Sequence, residues 1–257
     1  MKIATFNAAS VRARLPIVTD WIAQNEPDLL AIQETKVEND KFPFSDFEDL
    51  GYYVEVNGQK AWNGVAILSR EPLMRPLRGF PDELMPQDAR ILSGIYKEVQ
   101  IIAVYAPNGS QVGSEKFEYK LKWFDKMLEW LHASFDPRKP LVLLGDINIA
   151  LTPLDVYDSK KVYGGIGHHP EEFIRLQKLI DWGLTDLYRY LHPDKVEFSY
   201  WEFTIPRAVL RKIGWRIDHI YGTTPVVEAC RKCWIDLEPR LVERPSDHTF
   251  VVADINL

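Results

Sequence analysis

The sequence predicts an α/β protein built on mixed β-sheets, and three observations lead to that class. Short apolar runs typical of buried strands alternate along the chain with amphipathic segments at helical spacing. Some neighbouring strands are separated only by a short turn, as in a hairpin, so the sheets are expected to be mixed rather than purely parallel. No linker, charge run or repeat interrupts the chain, so we expect a single domain over residues 1–257.

The first half of the chain contains most of the predicted strands. These strands lie at residues 2–6, 28–33, 52–56, 64–68, 91–96 and 99–106. A helix is expected after the first strand, capped by Ser10, with Leu15, Val18 and Ile22 on one face and Pro27 after its end. Residues 41–50 predict a weak helix or a loop. Residues 71–90 contain four prolines and are expected to be irregular.

The second half begins with the clearest helix of the sequence. Ser114 is its expected cap, and an apolar stripe runs from Phe117 to Leu131. A buried strand follows at 141–144, then a glycine-containing loop at 150–168. Helices are predicted at 170–182 and 185–191, and closing strands at 215–221, 226–234 and 249–255.

Composition limits the classes of protein that the chain can be. Its 257 residues are 46% hydrophobic and 26% charged, as in soluble globular proteins, and no apolar run approaches the roughly 20 residues of a membrane span. We expect a cytoplasmic monomer with no membrane partner. The net charge of −6 argues against non-specific coating of nucleic acid, but metal-binding carboxylates would contribute to that charge in a nuclease.

Cysteines and local basic clusters give weaker signals. Cys230 and Cys233 form one CxxC pair, too few ligands for zinc, and ordinary thiols are favoured over a disulfide or a functional pair. Each basic cluster is expected to be a solvated face. The clusters are Arg12 with Arg14, Arg75 with Arg78, Lys116 with Lys120 and Lys122, and the arginines of 207–216.

Polar residues that can bind cations or phosphate stand at the edges of several predicted strands. Asp146 and Asn148 follow the strand at 141–144 and, being two apart, would share one face. That stretch alone favours a turn, because Gly, Asp and Asn are turn residues. The other such positions are Asn7, Glu34, Tyr105, Asp218, and Asp247 with His248. Together they indicate one convergent site, and their oxygen-rich chemistry indicates Mg²⁺ or Mn²⁺.

Seven motifs carry a resemblance to a known family. They are TFN (5–7), IQETK (32–36), NGVAILS (63–69), YAPNG (105–109), GDIN (145–148), GWRID (214–218) and PSDH (245–248). In these motifs and their order the chain resembles the exonuclease III family of AP endonucleases, within the endonuclease/exonuclease/phosphatase superfamily. The resemblance implies a four-layer α/β sandwich, in which two mixed sheets pack face to face with helices outside.

The resemblance also implies an activity. A hydrolase of this kind takes part in base excision repair, cutting the DNA backbone 5′ to abasic (AP) sites with Mg²⁺ or Mn²⁺ and trimming 3′ ends by 3′→5′ exonuclease action. The implied partner is double-stranded DNA that contains abasic sites or 3′ ends. Two alternatives remain: a superfamily phosphodiesterase acting on RNA, undamaged DNA or phospholipid headgroups, and a module that binds damaged DNA without cutting it.

Roles for individual residues follow from the resemblance. Glu34 would be the principal metal ligand, with Asn7 and Asp247 near the same cation. Asp146 would orient or deprotonate the attacking water, and Asn148 would hold that water or the phosphate. The remaining site residues contact the phosphate or support those that do.

His248 would donate a hydrogen bond to a non-bridging phosphate oxygen, where negative charge grows in the transition state. Asp218 would fix the orientation of His248, Tyr105 would contact the phosphate, and Asn108 would brace the site. Aromatic side chains would form a pocket for a flipped-out lesion, and arginines near them would hold backbone phosphates. The aromatic candidates are Tyr200, Trp201 and Trp215, and the arginines are Arg207, Arg211 and Arg216.

Two departures from the family pattern bear on DNA binding. Ala9 stands where the family usually has Asn or Asp near the metal, which would weaken metal contacts or shift metal preference. The loop at 162–169 has glycines and histidines where some relatives grip DNA with asparagines. The sequence therefore leaves open the balance between endonuclease and exonuclease action.

Overall fold

A computed structural model describes residues 1–81 and 88–257, and it contains two six-stranded mixed sheets. The strands are β1 (Lys2–Asn7), β2 (Leu29–Gln33), β3 (Tyr53–Asn57), β4 (Val65–Ser69), β5 (Met74–Arg78), β6 (Ile91–Tyr96), β7 (Val99–Tyr105), β8 (Leu141–Asp146), β9 (Thr185–Asp186), β10 (Asp218–Gly222), β11 (Cys230–Asp236) and β12 (Phe250–Ile255). Sheet 1 has the order β11-β12-β1-β2-β4-β3, and sheet 2 has the order β5-β6-β7-β8-β10-β9.

Helices cover the outer faces of the two sheets and also border the core between the sheets. They are α1 (Leu15–Asn25), α2 (Phe44–Glu48), α3 (Glu115–Ser134), α4 (Ser159–Val162), α5 (Pro170–Trp182), α6 (Leu187–Leu191) and α7 (Thr224–Ala229). Side chains on β8 alternate between two cores, as the strand period requires: Val142 and Leu144 face sheet 1, whereas Leu141 and Leu143 face α3 and α5. A third core lies between sheet 1 and α1 and α2. The predicted four-layer α/β sandwich is confirmed.

Each sheet has one parallel pair at its centre, and this arrangement defines where ligands can bind. β1 pairs in parallel with β2 across the crossover helix α1, and β7 pairs in parallel with β8 across α3. All other strand pairs of the described residues are antiparallel. In each parallel pair the carboxyl ends of the two strands lie at the same edge of the sheet, which is where open α/β sheets bind their ligands.

Several predicted elements differ from the structure. Ser10 does not cap α1: it adopts a left-handed φ of 107° in a turn, and the helix begins at Leu15 with Pro16 in its first turn. Val226 belongs to α7 rather than a strand, because Pro225 starts a short helix. Residues 185–191 begin as β9 before α6 starts.

Two segments that were expected to be irregular contain regular structure. Residues 74–78 form β5, an edge strand with a bulge where Pro76 lies, so the proline removes no ladder hydrogen bond from the sheet interior. The other part of the 71–90 prediction, residues 82–87, lies outside the described residues. The loop at 150–168 contains a 3₁₀ turn at Pro153–Asp155 and the short helix α4.

Other predictions match closely. Ser114 caps α3 by accepting a hydrogen bond from the backbone N–H of Phe117, and α5 has the predicted bounds. The side chains of Cys230 and Cys233 are buried free thiols, as favoured from the sequence. None of the described helices combines the length and apolar character needed to cross a membrane.

Candidate active site

Strand register in sheet 2 brings three of the predicted residues side by side. Tyr105 pairs with Asp146 across the parallel β7–β8 ladder, and Asp218 pairs with Asp146 across the antiparallel β8–β10 ladder. Residues paired in this way lie on the same face of the sheet. Gly145 permits the close approach of β8 to β7, because a Cβ there would lie 1.9 Å from the carbonyl oxygen of Val104.

Sheet 1 contributes a second group of side chains to the same place. Asn7 ends β1 and pairs with Gln33, the last residue of β2, so Glu34 comes directly after the end of the neighbouring strand. The side-chain Nδ2 of Asn7 donates to Glu34 Oε1 at 2.9 Å and to Asp146 Oδ2 at 2.8 Å. Asn7 therefore joins a carboxylate of sheet 1 to a carboxylate of sheet 2, and its own oxygen accepts from the N–H of Ala9.

His248 is held by a chain of hydrogen bonds that ends at Asp218. Its Nδ1 lies 2.8 Å from Asp218 Oδ2, and the hydroxyl of Ser199 donates to the same oxygen at 2.6 Å. The Ser199 oxygen in turn accepts from the backbone N–H of Asp218 at 3.1 Å. This arrangement fixes the imidazole so that Nε2 points toward Asp146, whose Oδ2 is 3.8 Å away.

The charges of this cluster perturb one another. Burial alone would lower the pKa of His248, but the carboxylates of Asp218 and Asp146 raise that pKa to about 10. The two carboxylates therefore favour the cationic imidazole, in which Nε2–H is a hydrogen-bond donor. Burial raises the pKa of Asp146 to about 7, the value of a base that can gain and lose a proton near neutral pH.

Glu34 is held as an anion, whereas Tyr105 is held as an uncharged phenol. Burial raises the pKa of Glu34, but hydrogen bonds from Lys36 and Asn7 outweigh burial and hold that pKa below its usual value. The ammonium of Lys36 lies 2.8 Å from the Glu34 carboxylate. Burial and the nearby carboxylates of Glu34 and Asp146 raise the pKa of Tyr105 far above its usual value, so its phenol stays protonated.

The two asparagines that follow the strands of sheet 2 interact directly. Asn108 Nδ2 donates to Asn148 Oδ1 at 3.1 Å, and Asn148 Nδ2 donates to the carbonyl of Ala106 at 2.9 Å. Asn148 adopts a left-handed φ of 55°, and its N–H donates to Asp146 Oδ1. Asn148 is therefore tied to Asp146 through its backbone, but it lies beyond the end of β8, so the strand period behind the predicted shared face does not reach it.

The donor set fits a hard divalent cation. Among the described residues, ligand atoms of Glu34, Asp146 and His248 lie within 4.8 Å of one another, and with His248 protonated the two carboxylates remain as ligands. Oxygen ligands without sulfur are typical of magnesium and manganese sites. Asp247 is partly buried and accepts from the Ser246 hydroxyl, but it does not belong to this group.

The predicted aromatic residues do not all occupy one pocket. The Tyr200 ring lies 4.8 Å from the His248 ring, and Tyr200 pairs through its backbone with Trp215. Trp215 is half-buried against the 162–169 loop, where a Cβ at Gly167 would lie 3.4 Å from its ring. Trp201 instead packs in a cluster with Phe198 and lines a pocket there, so its contact with substrate stays a prediction.

The three predicted arginines also separate. Arg207 and Arg211 are exposed on the loop that follows Trp201, where phosphate contacts are sterically open. Arg216 is only 2% exposed, and its guanidinium lies 2.8 Å from Asp155 and 2.7 Å from Asp186. The prediction that Arg216 holds a backbone phosphate is therefore wrong, because its charge is already neutralised by two buried carboxylates.

The sequence of the chain is similar to the sequences of known proteins. A family model described as the endonuclease/exonuclease/phosphatase family matches residues 4–248. The chain belongs to this family. It is 33% identical to exodeoxyribonuclease III of Haemophilus influenzae over 99% of each chain.

Solved structures support the same placement within the endonuclease/exonuclease/phosphatase family. An AP endonuclease from Archaeoglobus fulgidus superimposes with a TM-score of 0.97 at 37% identity, over 100% of both chains. The 3′ phosphatase NExo from Neisseria, solved with a product DNA hairpin, superimposes with a TM-score of 0.96 at 37% identity over 100% of both chains. The predicted exonuclease III-like family and the hydrolase class are thus confirmed.

Sequence reasoning missed three kinds of contact in the site. Ser199 had no assigned role, although it precedes the tyrosine of the FSYW segment and bonds the carboxylate that holds His248. Lys36 lies within the IQETK motif, which could have indicated its pairing with Glu34. Lys120 was expected on a solvated face but is buried with Glu172, and no local pattern indicates that partner, 52 residues away.

Proposed function

We propose that the protein is a DNA-repair nuclease that hydrolyses the DNA backbone 5′ to abasic sites and removes blocking groups at 3′ ends. The observation that carries the proposal is the meeting of Glu34, Asp146 and His248 within 4.8 Å, at the junction of two sheets. A base, a metal carboxylate and a cationic donor in one place are what phosphodiester hydrolysis requires. A module that only binds DNA needs none of these together.

The protonation state of each residue indicates its role in hydrolysis. Asp146, with a pKa near neutrality, accepts the proton of the attacking water, and Asn148 beside it orients that water. His248 donates from Nε2 to the phosphate oxygen on which charge develops, and Asp218 keeps the imidazole aligned. Tyr105, a protonated phenol, donates to the same phosphate group.

The cofactor is Mg²⁺ or Mn²⁺, which the carboxylate of Glu34 would hold, with the carboxylate of Asp146 beside it. When bound, such an ion neutralises phosphate charge and so lowers the barrier to attack by a nucleophile. Asn7 holds both carboxylates at the spacing seen here, and Asp247 stands near enough to influence His248 electrostatically. Direct ligation by Asn7 or Asp247 remains part of this proposal.

The substrate is double-stranded DNA, as the similarity to an AP endonuclease and to a DNA-bound 3′ phosphatase supports. The exposed arginines Arg207 and Arg211 lie in the segment that leads to the half-buried Trp215, which suits backbone contacts around a displaced sugar. Because both kinds of neighbour match this chain equally well in identity, both activities belong in the test.

The test uses a duplex with a single abasic-site analogue and a second duplex with a 3′-phosphate at a nick. We expect Mg²⁺-dependent incision on the 5′ side of the analogue and release of phosphate from the nick, both abolished by EDTA. His248→Ala should lower turnover by about 100-fold or more, since removing one transition-state donor costs this much in other hydrolases, with little change in DNA affinity.

The matched control is His132→Ala, since His132 is an exposed histidine on α3. It should turn over like the wild type. Equal cutting of an undamaged duplex or of RNA would refute the specificity for damaged DNA. Tight binding to the abasic duplex without any cleavage would refute the enzymatic proposal and favour a binding module.

A further inference from the structure

A buried ion pair lies directly beneath the loops that carry the site. Lys120 of α3 and Glu172 of α5 are both fully buried, and the Lys120 Nζ is 2.5 Å from Glu172 Oε1. Neither residue touches the carboxylates or the imidazole of the site. The other hydrogen bonds of the two side chains are made to backbone groups of three site loops.

Lys120 binds the two loops that follow the central strands of sheet 2. Its ammonium donates to the carbonyl oxygen of Asn148 at 2.8 Å and to that of Asn108 at 3.2 Å. With Glu172, these carbonyls use all three N–H bonds of the ammonium. The same ammonium therefore fixes the backbone of both asparagines, whose side chains bond to each other at 3.1 Å in the site.

Glu172 binds the third loop, at 162–169. Its Oε1 accepts from the N–H of Gly167 at 3.1 Å, and its Oε2 accepts from the N–H of His169 at 3.0 Å. Gly167 also accepts from the N–H of Ala150 through its carbonyl, and it lies against the ring of Trp215. One carboxylate thus sets the position of the loop wall that packs on Trp215.

We propose that Lys120 and Glu172 are positioning residues for the hydrolysis, which rests on the function proposed above. The pair holds Asn148 and Asn108 in register with Asp146 and holds the 162–169 loop against Trp215. A shift of about 1 Å in such groups lowers turnover by up to about 100-fold, because the attacking water and the phosphate lose their alignment.

Stability alone does not account for this pair. Removing two charges from water is expensive, and well-packed apolar residues of similar size often stabilise a core as well as a buried ion pair does. Breaking only one partner, in contrast, leaves an uncompensated buried charge and strongly destabilises a protein. Variants that remove both charges together can therefore separate positioning from stability.

The test compares the wild type with Lys120→Met/Glu172→Leu. We expect the double variant to melt below the wild type, because four backbone groups lose their partners, but to stay folded at the assay temperature and to bind the abasic duplex within about threefold. Its kcat for incision should fall by about 10- to 100-fold, since the carbonyls of Asn108 and Asn148 and the N–H groups of the loop lose their partners. A double variant with wild-type kcat would overturn the proposal.

The matched control is a second ion pair between the same two helices. Arg175 of α5 and Asp125 of α3 lie 3.2 Å apart but are partly exposed and contact no site loop. Asp125→Leu/Arg175→Met should keep kcat within about twofold of the wild type, because exposed pairs contribute little. An equal fall of kcat in this control would overturn the proposal, since the effect would then come from helix packing.

A further variant covers the case in which the double variant does not fold. Lys120→Met/Glu172→Gln removes both charges and keeps the side-chain volumes, and the glutamine oxygen can still accept from Gly167, but the amide cannot also accept from His169. We expect kcat to fall at least fivefold with an unchanged circular dichroism spectrum, and an unchanged kcat would overturn the proposal. A wild type that cleaves no DNA refutes the proposed function instead, so the two failures are distinct.

Discussion

Asp218→Asn is the sharpest single perturbation of the site, because one oxygen of Asp218 serves two donors. Oδ2 accepts from His248 Nδ1 at 2.8 Å and from Ser199 Oγ at 2.6 Å, while Oδ1 is buried without a partner. An asparagine with its oxygen at the Oδ2 position keeps both hydrogen bonds. It loses the negative charge and places an amide N–H₂ where no acceptor is present.

The expected loss can be estimated from that geometry. A hydrogen bond to a charged group contributes about 1.5–3 kcal/mol net, and each ~1.4 kcal/mol changes a rate tenfold. If the charge acts mainly on the imidazolium in the transition state, Asp218→Asn should lower kcat by about 10- to 150-fold. Affinity for DNA should change much less, because Asp218 is fully buried and does not face the solvent.

The pH profile carries the most specific information. Burial lowers the pKa of His248, whereas Asp218 and Asp146 raise it to about 10, so activity of the wild type should persist to alkaline pH. Without the Asp218 charge, that pKa falls and the cationic donor is lost at lower pH. The alkaline limb of the activity profile should therefore move to lower pH in Asp218→Asn.

The assay is single-turnover incision of an abasic duplex with Mg²⁺ between pH 6 and 10. Ser199→Ala is the control, since it removes a neutral hydrogen bond to the same oxygen and should slow the reaction only about 2- to 10-fold. Its alkaline limb should stay in place. An Asp218→Asn enzyme with an unmoved alkaline limb and nearly normal kcat would refute the electrostatic reasoning.

Two further predictions concern stability and binding. Burial raises the pKa of Asp146 to about 7, so the metal-free protein should lose stability as pH rises from about 4 through 7. Mg²⁺ should therefore raise Tm more at pH 8 than at pH 5.5, and equal increases at the two pH values would contradict this prediction. Arg216→Met should lower the free energy of unfolding by about 3–5 kcal/mol in urea titrations, whereas Arg207→Ala should leave it unchanged and weaken DNA binding with a lower salt slope.

Strand ends could be predicted from the sequence because they depend on local signals. The apolar run before Gly145 defines β8 by itself, and this strand places Asp146 at its carboxyl end. The same reasoning located Glu34 after β2. Motifs in the family's order supplied the two-sheet arrangement, which periodicity alone does not contain.

The remaining site contacts depend on partners far away in the chain. Arg216 and Lys120 are ordinary basic residues until the fold sets Asp155, Asp186 and Glu172 beside them. Pro225 and Val226 illustrate the same difficulty locally, since an apolar run followed by β11 fits a strand as well as a one-turn helix. Burial of a charge is a tertiary property, and a single sequence gives no direct signal for it.

The position of β12 has a consequence for the synthesis of the protein. This strand fills the gap between β11 and β1, and His248 stands just before it. A nascent chain shorter than about 250 residues therefore lacks the donor of the site and the strand that completes sheet 1. The order of strands therefore delays assembly of the site until this segment has been synthesised.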